Sequence, residues 1–236
     1  MSITWYIQEF DEVESTQDLI KQDVRDGAVV MAASQAKGRG RHGREWLSES
    51  GNLYFSFCLQ PQMSSQNIGQ LALVVAVALG QAVQSLLHAP EKMQLKWPND
   101  ILIDGKKCAG ILIETDLLGD QIDAVYVGIG LNLRTAPPEG EVLSDYAAEL
   151  PGRAEVLQMI LACMSEHYQA WRGGHFSEIL SLWLSMAHQK GAPVSVKLGE
   201  QLLSGSFEGV DEQGALLIKD AADQSIRTIT AGDVYL

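Results

Sequence analysis

Positive charge is scarce in this chain. Its 236 residues hold 17 Lys and Arg against 30 Asp and Glu, a formal net charge of −13. Nonspecific nucleic-acid binding needs Lys and Arg spread widely enough to neutralise phosphates, so nucleic acid is set aside as a partner. Cysteine is scarcer: Cys58, Cys108 and Cys163 show no paired spacing and no CxxC. They fit small buried hydrophobes in a reducing cytoplasm, which is the expected compartment. No signal peptide opens the chain, because Glu9, Asp11, Glu12 and Glu14 follow almost at once. Repeats and low-complexity tracts are missing. Between Leu53 and Pro90 charge vanishes altogether. A bilayer span needs about 20 mainly apolar residues, and Ile68 to Leu87 has that length. But Gln70, Gln81, Gln84 and Ser85 interrupt it, with Gly69 and Gly80. Its Leu71, Val74, Val75, Ala78, Ala82, Val83 and Leu86 form a helical stripe. A buried core helix is expected, and no membrane partner.

What is present can bury a proper core, since 46% of the residues are hydrophobic. Residues 15–26 read as an amphipathic helix with Ser15 or Thr16 as its N-cap. "AVVMAASQ" and "GNLYFSFCL" read as buried strands. "LKWPNDILIDGKKCAGILIE", residues 95–114, reads as two strands joined at Asp104-Gly105, a pair that accepts positive φ at both positions. "AVYVGIGLNL" is a further strand. Residues 134–152, rich in Pro, Gly and acids, are loop. Leu157, Leu161, Met164, Tyr168 and Trp171 mark a helix from Arg153, and Phe176, Ile179, Leu180 and Trp183 mark another after Gly173-Gly174. Strands returning through short turns predict an α+β fold, a mixed or antiparallel sheet with helices on one face. Beyond about residue 189 the texture changes to short apolar segments broken by Gly and Asp, which predicts a small β-barrel. Two units follow, 1–188 and 189–236.

Against this acidic background "QAKGRGRHGREW", residues 35–46, gathers four cations, Lys37, Arg39, Arg41 and Arg44, among Gly38, Gly40 and Gly43. GRGRHG fits GxGxxG. A dinucleotide fold, however, needs an acid about 20 residues on in a βαβ setting, and here a strand follows. The GK[ST] ending of a Walker A loop is missing too. A ligand-ordering loop remains: glycines let backbone approach a ligand, and arginines offer forked donors to carboxylate or phosphate. The bland alternative is a solvated basic hairpin. Other polar islands tip the balance. "KWPND" sets Lys96 at a strand end, with Asn99 and Asp100 next. "GIGLN" sets Asn132 where a strand ends, and "ESTQ" offers two hydroxyls and an amide in a row. Alone, each has an ordinary reading as surface charge, turn residue or helix cap. Together they are far more specific.

In this order STQ, Q-x-x-GRGRHGREW, KWPND, AGILIE and GIGLN resemble the catalytic core of biotin protein ligases, over roughly residues 3–188. "GALLI" with "GDV" is similar to that family's small C-terminal SH3-like barrel. The resemblance implies a core like that of class II aminoacyl-tRNA synthetases. It also implies an ATP-dependent enzyme that joins biotin to ATP as biotinyl-5′-AMP and releases pyrophosphate, with Mg²⁺ arriving with ATP. The acyl group then passes to a lysine of a biotin carboxyl carrier protein domain, as in acetyl-CoA carboxylase.

Carried over position by position, the resemblance implies that Ser15, Thr16, Gln17 and Gln35 bond the ureido head of biotin. Gly38, Arg39, Gly40 and Arg41 hold its carboxyl end. Arg41 and Lys96 face carboxylate and α-phosphate as the catalytic pair, from exposed loop or strand-end positions. Arg44, Trp46 and Asn132, with Arg41 and Lys96, serve ATP, and Gly110 and Gly128 permit close backbone approach. Gln17 stands where the family usually has Asn, and His42 fills a variable position without a role. The motif begins at residue 15, so ligation without operator binding is expected. Oligomeric state is unassigned, a homodimer being one option. The rivals are a lipoate or octanoate protein ligase, for which a ureido-binding cluster would be wasted, and a non-catalytic biotin or nucleotide sensor, which has no use for phosphate-facing Arg41, Arg44 and Lys96.

Overall fold

The computed structural model describes residues 3–199 and 201–235; Met1, Ser2, Glu200 and Leu236, which fall in the two expected units, lie outside the described residues. The elements run β1 (Tyr6–Val13), α1 (Thr16–Ile20), β2 (Ala28–Gln35), β3 (Leu53–Leu59), α2 (Ile68–Leu86), β4 (Met93–Lys96), β5 (Asp100–Ile103), β6 (Lys106–Leu118), β7 (Gln121–Leu131), α3 (Arg153–Arg172), α4 (Phe176–Met186), then β8 (Pro193–Leu198), β9 (Gln201–Val210), β10 (Leu216–Asp220), β11 (Ile226–Ile229) and β12 (Asp233–Tyr235). The first seven strands form one mixed sheet in the order β1-β2-β3-β7-β6-β5-β4, with β1 and β2 parallel and the other pairs antiparallel. The last five form an antiparallel sheet ordered β11-β10-β9-β8-β12. The α+β expectation, a mixed sheet with helices followed by a small β unit, is met.

Strand alternation assigns the two faces of the large sheet. Val29, Met31, Phe55, Phe57, Val125 and Val127 point to the face covered by α2, α3 and α4 and belong to the main core. Helix α2 is long and apolar enough to cross a membrane. Yet Leu71 through Gly80 is buried almost without a break, save Ala72, between the sheet and helices α3 and α4. It is the core helix its stripe predicts. Ala28, Val30, Cys58, Ala124 and Tyr126 point to the opposite face, where Ile20 of α1 covers them. So the helices do not all lie on one face, and this second face carries the site.

Three elements differ from expectation. Helix α1 spans only Thr16–Ile20, not 15–26. Ile20 is fully buried against the sheet, but Val24 is half exposed, so nothing rewards a longer helix. The 95–114 segment makes three strands, because a cis Trp97–Pro98 peptide separates β4 from β5. The Asp104-Gly105 turn lies where expected, with φ of 51° and 79°. Strand β1 was not foreseen.

The smaller sheet packs against the larger unit. Phe207 meets Trp183 of α4, and the Trp97 indole donates to the Gly214 carbonyl at 3.0 Å. Gln70 of α2 donates to the Glu212 carbonyl at 2.7 Å.

Candidate active site

The basic stretch joins β2 to β3 as a folded-back loop. Arg39 bridges to Glu45, the Gly40 amide donates to the Arg44 carbonyl at 2.7 Å, and the Trp46 amide donates to the Gly38 carbonyl at 2.9 Å. Gly38 is obligatory: a Cβ there would fall on the Trp46 carbonyl and Ser48 Oγ. At the turn His42 takes φ 56° and Gly43 takes φ 71°, so Arg41 and Arg44 leave the loop on one side.

The loop closes over a cavity of about 280 Å³ on the α1 face. Its floor is paved with glycine. Gly110 of β6 pairs with Gly130 of β7, and Gly128 pairs with Leu112 two residues along. The Trp46 indole lies on this floor. A Cβ on Gly130 would enter the ring, and one on Gly110 would stand 2.9 Å from it. Lys107 Nζ sits above the same ring at 5.1 Å, a cation–π contact.

Arg39, Gly40, Arg41, Arg44, Trp46, Asn99, Asp100, Gly110, Gly128 and Asn132 all line the cavity, so the loop, KWPND and GIGLN islands do converge. Lys96 lies just behind the lining. Its ammonium is 3.9 Å from the carboxylate of Asp100, which lines the cavity and is held at 2.7 Å by Lys107. The expectation that Lys96 and Arg41 are exposed fails. The Lys96 side chain is 21% exposed, and Arg41 is partly buried, donating to Asn99 Oδ1 at 3.0 Å and to the Gly232 carbonyl at 3.3 Å. Burial pushes the Lys96 ammonium below the usual lysine range; Asp100 opposes this, and Lys107 and Arg44 add to it.

The Ser15, Thr16, Gln17 and Gln35 group borders the cavity instead of lining it. Ser15 Oγ accepts from the Asp18 amide, so its observed work is N-capping α1. Gln35 Oε1 accepts from the Thr16 amide and hydroxyl at 2.8 and 3.0 Å, while its Nε2 donates to Ser48 Oγ. Thr16 Oγ1 also meets Ser56 Oγ at 2.9 Å. Gln17, 3% exposed, donates to Glu114 and to the Tyr126 carbonyl, and its Oε1 has no partner among the described residues. That oxygen is 2.6 Å from where a Gly128 Cβ would stand. The Trp46 Nε1–H is likewise buried and, among the described residues, unpaired. A buried polar group left unmatched costs roughly 1–3 kcal/mol, so an acceptor and a donor are both kept ready beside the cavity.

Two site residues come from where sequence reasoning assigned no role. Lys107 carries only the weak signal of a second Lys before the AGILIE motif. Asp233, in the terminal "GDV", reaches the loop: its carboxylate pairs with Arg44 and lies 3.9 Å from His42 Nε2. Burial alone would raise the Asp233 pKa, but the Arg44 hydrogen bond and the charges of Arg44, Arg41 and His42 win, leaving it below the usual carboxylate range.

The sequence model of the biotin/lipoate A/B protein ligase family matches residues 9–132, and that of the biotin protein ligase C-terminal domain matches residues 191–236. The chain belongs to the biotin protein ligase family. The bifunctional ligase/repressor BirA of Bacillus subtilis is 34% identical to it over 239 residues, covering 96% of this chain and 72% of the relative. The biotin–[acetyl-CoA-carboxylase] ligase of Paracoccus denitrificans is 34% identical over 217 residues, 88% of this chain and 90% of that one. Among solved structures, the biotin protein ligase of Aquifex aeolicus in complex with biotin and ATP matches with a TM-score of 0.82 at 34% identity over 97% of each chain. The loop, KWPND and GIGLN residues that face one cavity here thus belong to a biotin ligase fold matched over nearly its whole length.

Proposed function

We propose that this chain is an ATP-dependent biotin protein ligase. A biotin carboxylate oxygen attacks the α-phosphorus of ATP, the bond from that phosphorus to the bridging oxygen breaks, and pyrophosphate leaves. A carrier-domain lysine amine then attacks the acyl carbon of biotinyl-5′-AMP; AMP departs, and the amine loses a proton.

The observation that carries this reading is the gathering of Arg39, Arg41, Arg44 and Lys107 around one glycine-floored cavity, with Lys96 directly behind. Bringing a carboxylate to a phosphate sets two anions together. At 4 Å and an effective dielectric near 20 their repulsion is about 4 kcal/mol, or roughly three decades of rate. Converging cations relieve that cost and stabilise the charge that grows on the transferring phosphorus and the departing pyrophosphate. In this reading Arg41 and Lys96 meet carboxylate and α-phosphate, Arg44 and Asn132 serve the nucleotide, and Trp46 offers a stacking face to adenine. Thr16, Gln17 and Gln35 meet the ureido head. Mg²⁺ would arrive with ATP and neutralise part of the triphosphate charge; of the carboxylates lining the cavity, Asp100 and Asp233 are paired with Lys107 and Arg44, which leaves Glu45 and Glu139 to meet it.

The test mixes the protein with ATP and biotin, lipoate or octanoate and follows the acyl-AMP by mass spectrometry. Biotinyl-AMP alone, followed by a biotin-sized mass gain on an added carboxyl carrier domain, is the expected result. Lipoyl- or octanoyl-AMP in its place, or no adenylate from any acid, overturns the reading.

A further inference from the structure

Glu114 follows the glycine floor along β6. It pairs with Tyr126 in the row after Leu112 and Gly128, on the cavity face of the sheet. The reaction just described gives it no task, yet three side chains meet its carboxylate. Gln17 Nε2 donates to it at 3.0 Å, Lys21 Nζ stands at 3.2 Å, and the Arg39 guanidinium at 3.7 Å.

The contact with Gln17 carries information the ion pairs do not. A glutamine amide is nearly symmetric in shape but not in polarity: one end donates twice, the other only accepts. Gln17 places one end between the Glu114 carboxylate and the Tyr126 carbonyl, at 3.0 and 3.1 Å. Both are acceptors with no hydrogen to give, so the nitrogen must face them. The oxygen must then face away, and there it lies buried, without a partner among the described residues, beside Gly128 of the cavity floor.

We propose that Glu114 is a positioning residue that sets the polarity of the head-group pocket. By holding the Gln17 nitrogen it presents Oε1 as a lone acceptor, and so selects a ring that offers an N–H at that point. This deepens the biotin reading and rests on it, the cyclic urea supplying that N–H. It also gives meaning to Gln in place of the family's usual Asn: the longer side chain is the one seen to span from Glu114 to Gly128 in this chain.

The test is calorimetric titration of wild type, Glu114→Ala and Glu114→Gln with biotin and with its two cyclic-carbamate analogues, in each of which one ureido N–H is replaced by oxygen. In wild type one analogue should bind at least about tenfold more weakly than biotin, the scale of a lost neutral hydrogen bond that leaves acceptor facing acceptor. In Glu114→Ala that discrimination should shrink at least about threefold, because the Tyr126 carbonyl alone is left to hold the nitrogen. Glu114→Gln, which keeps an acceptor oxygen but no charge, should restore it. Weakening of biotin and both analogues by one common factor in Glu114→Ala would mark a merely structural role and overturn the proposal while leaving the biotin reading intact. Failure of wild type to bind biotin at all would overturn both.

Discussion

At the scale of single residues the site depends on what two positions lack and what one position holds back. Gly130 and Gly110 lack a side chain so that the Trp46 indole can lie flat on the sheet. Gly130→Ala should therefore push the indole off its floor. Trp46 sits on a loop, so the loop gives way rather than the sheet, and stability should fall by no more than the roughly 1–3 kcal/mol of an overpacked site. ATP-dependent pyrophosphate release should fall at least about tenfold, the cost of losing one well-placed stacking face. A folded variant with wild-type release would separate Trp46 from the chemistry. Lys96 holds back its charge. In the proposed reaction its ammonium acts in the cationic form, and its pKa is lowered, so the charge is complete below that pKa and lost as pH rises through it. Adenylation should decline on the alkaline side at a pH below the 10.5 of an ordinary lysine. Lys96→Ala should abolish most of the rate. Lys96→Arg should retain part of it and move the alkaline limb upward. The limb of wild type and of Lys96→Arg at the same pH would assign that titration to another group.

At the scale of elements, what was legible followed burial. Helices α3 and α4 announce themselves because one face of each is packed and the other is not, and α2, β2, β3 and β7 because they are apolar runs buried nearly throughout. Strand β1 did not, because it is an edge strand paired only with β2 and exposed along most of its length, so its side chains carry no alternation. The split of β4 from β5 was hidden because Trp97-Pro98 reads equally as a functional motif and as a break. The basic loop was legible in kind, and its convergence with KWPND and GIGLN was foreseen from the resemblance. Its internal hydrogen bonds were not, since nothing in the spacing of Gly38 shows that the Trp46 carbonyl and Ser48 crowd it. That crowding yields a prediction. Gly38→Ala should break the chain of bonds from Thr16 through Gln35 and Ser48 to the Trp46 carbonyl. The affinity for biotin, measured by calorimetry, should fall at least about tenfold, as two or more bonds of roughly 1 kcal/mol are lost. The melting temperature should move little, because the loop lies outside the main core. Unchanged affinity would detach the loop base from the head-group pocket.

At the scale of the whole molecule, the C-terminal sheet takes part in the site. A change of texture near residue 189 suggested a separate small unit, and no local pattern in "AGDVYL" reveals that Asp233 reaches back to a loop almost two hundred residues earlier. The packing of β9 on α4, and of the turn after β9 on α2, brings the Gly232 carbonyl to Arg41 and the Asp233 carboxylate to Arg44. The tie has a calculable sign. A carboxylate whose folded pKa is depressed contributes its stabilisation above the unfolded value and loses it as pH falls through the folded one. The Asp233–Arg44 tie is therefore complete at neutral pH and loosens only in acid below the usual carboxylate range. In the proposed function the same carboxylate competes with phosphate for Arg44. In Asp233→Asn the competition ends, and the cavity gains one net positive charge. ATP should then bind more tightly by a few-fold, in line with roughly 0.2–1 kcal/mol for a largely exposed pair, while amide exchange across residues 39–44 quickens because the loop has lost its anchor. Wild type should show a rise in loop exchange in acid, as Asp233 protonates, and the variant should not. Weaker ATP binding together with unchanged loop exchange would mean that Asp233 serves the nucleotide itself instead of holding the arginine until the nucleotide arrives.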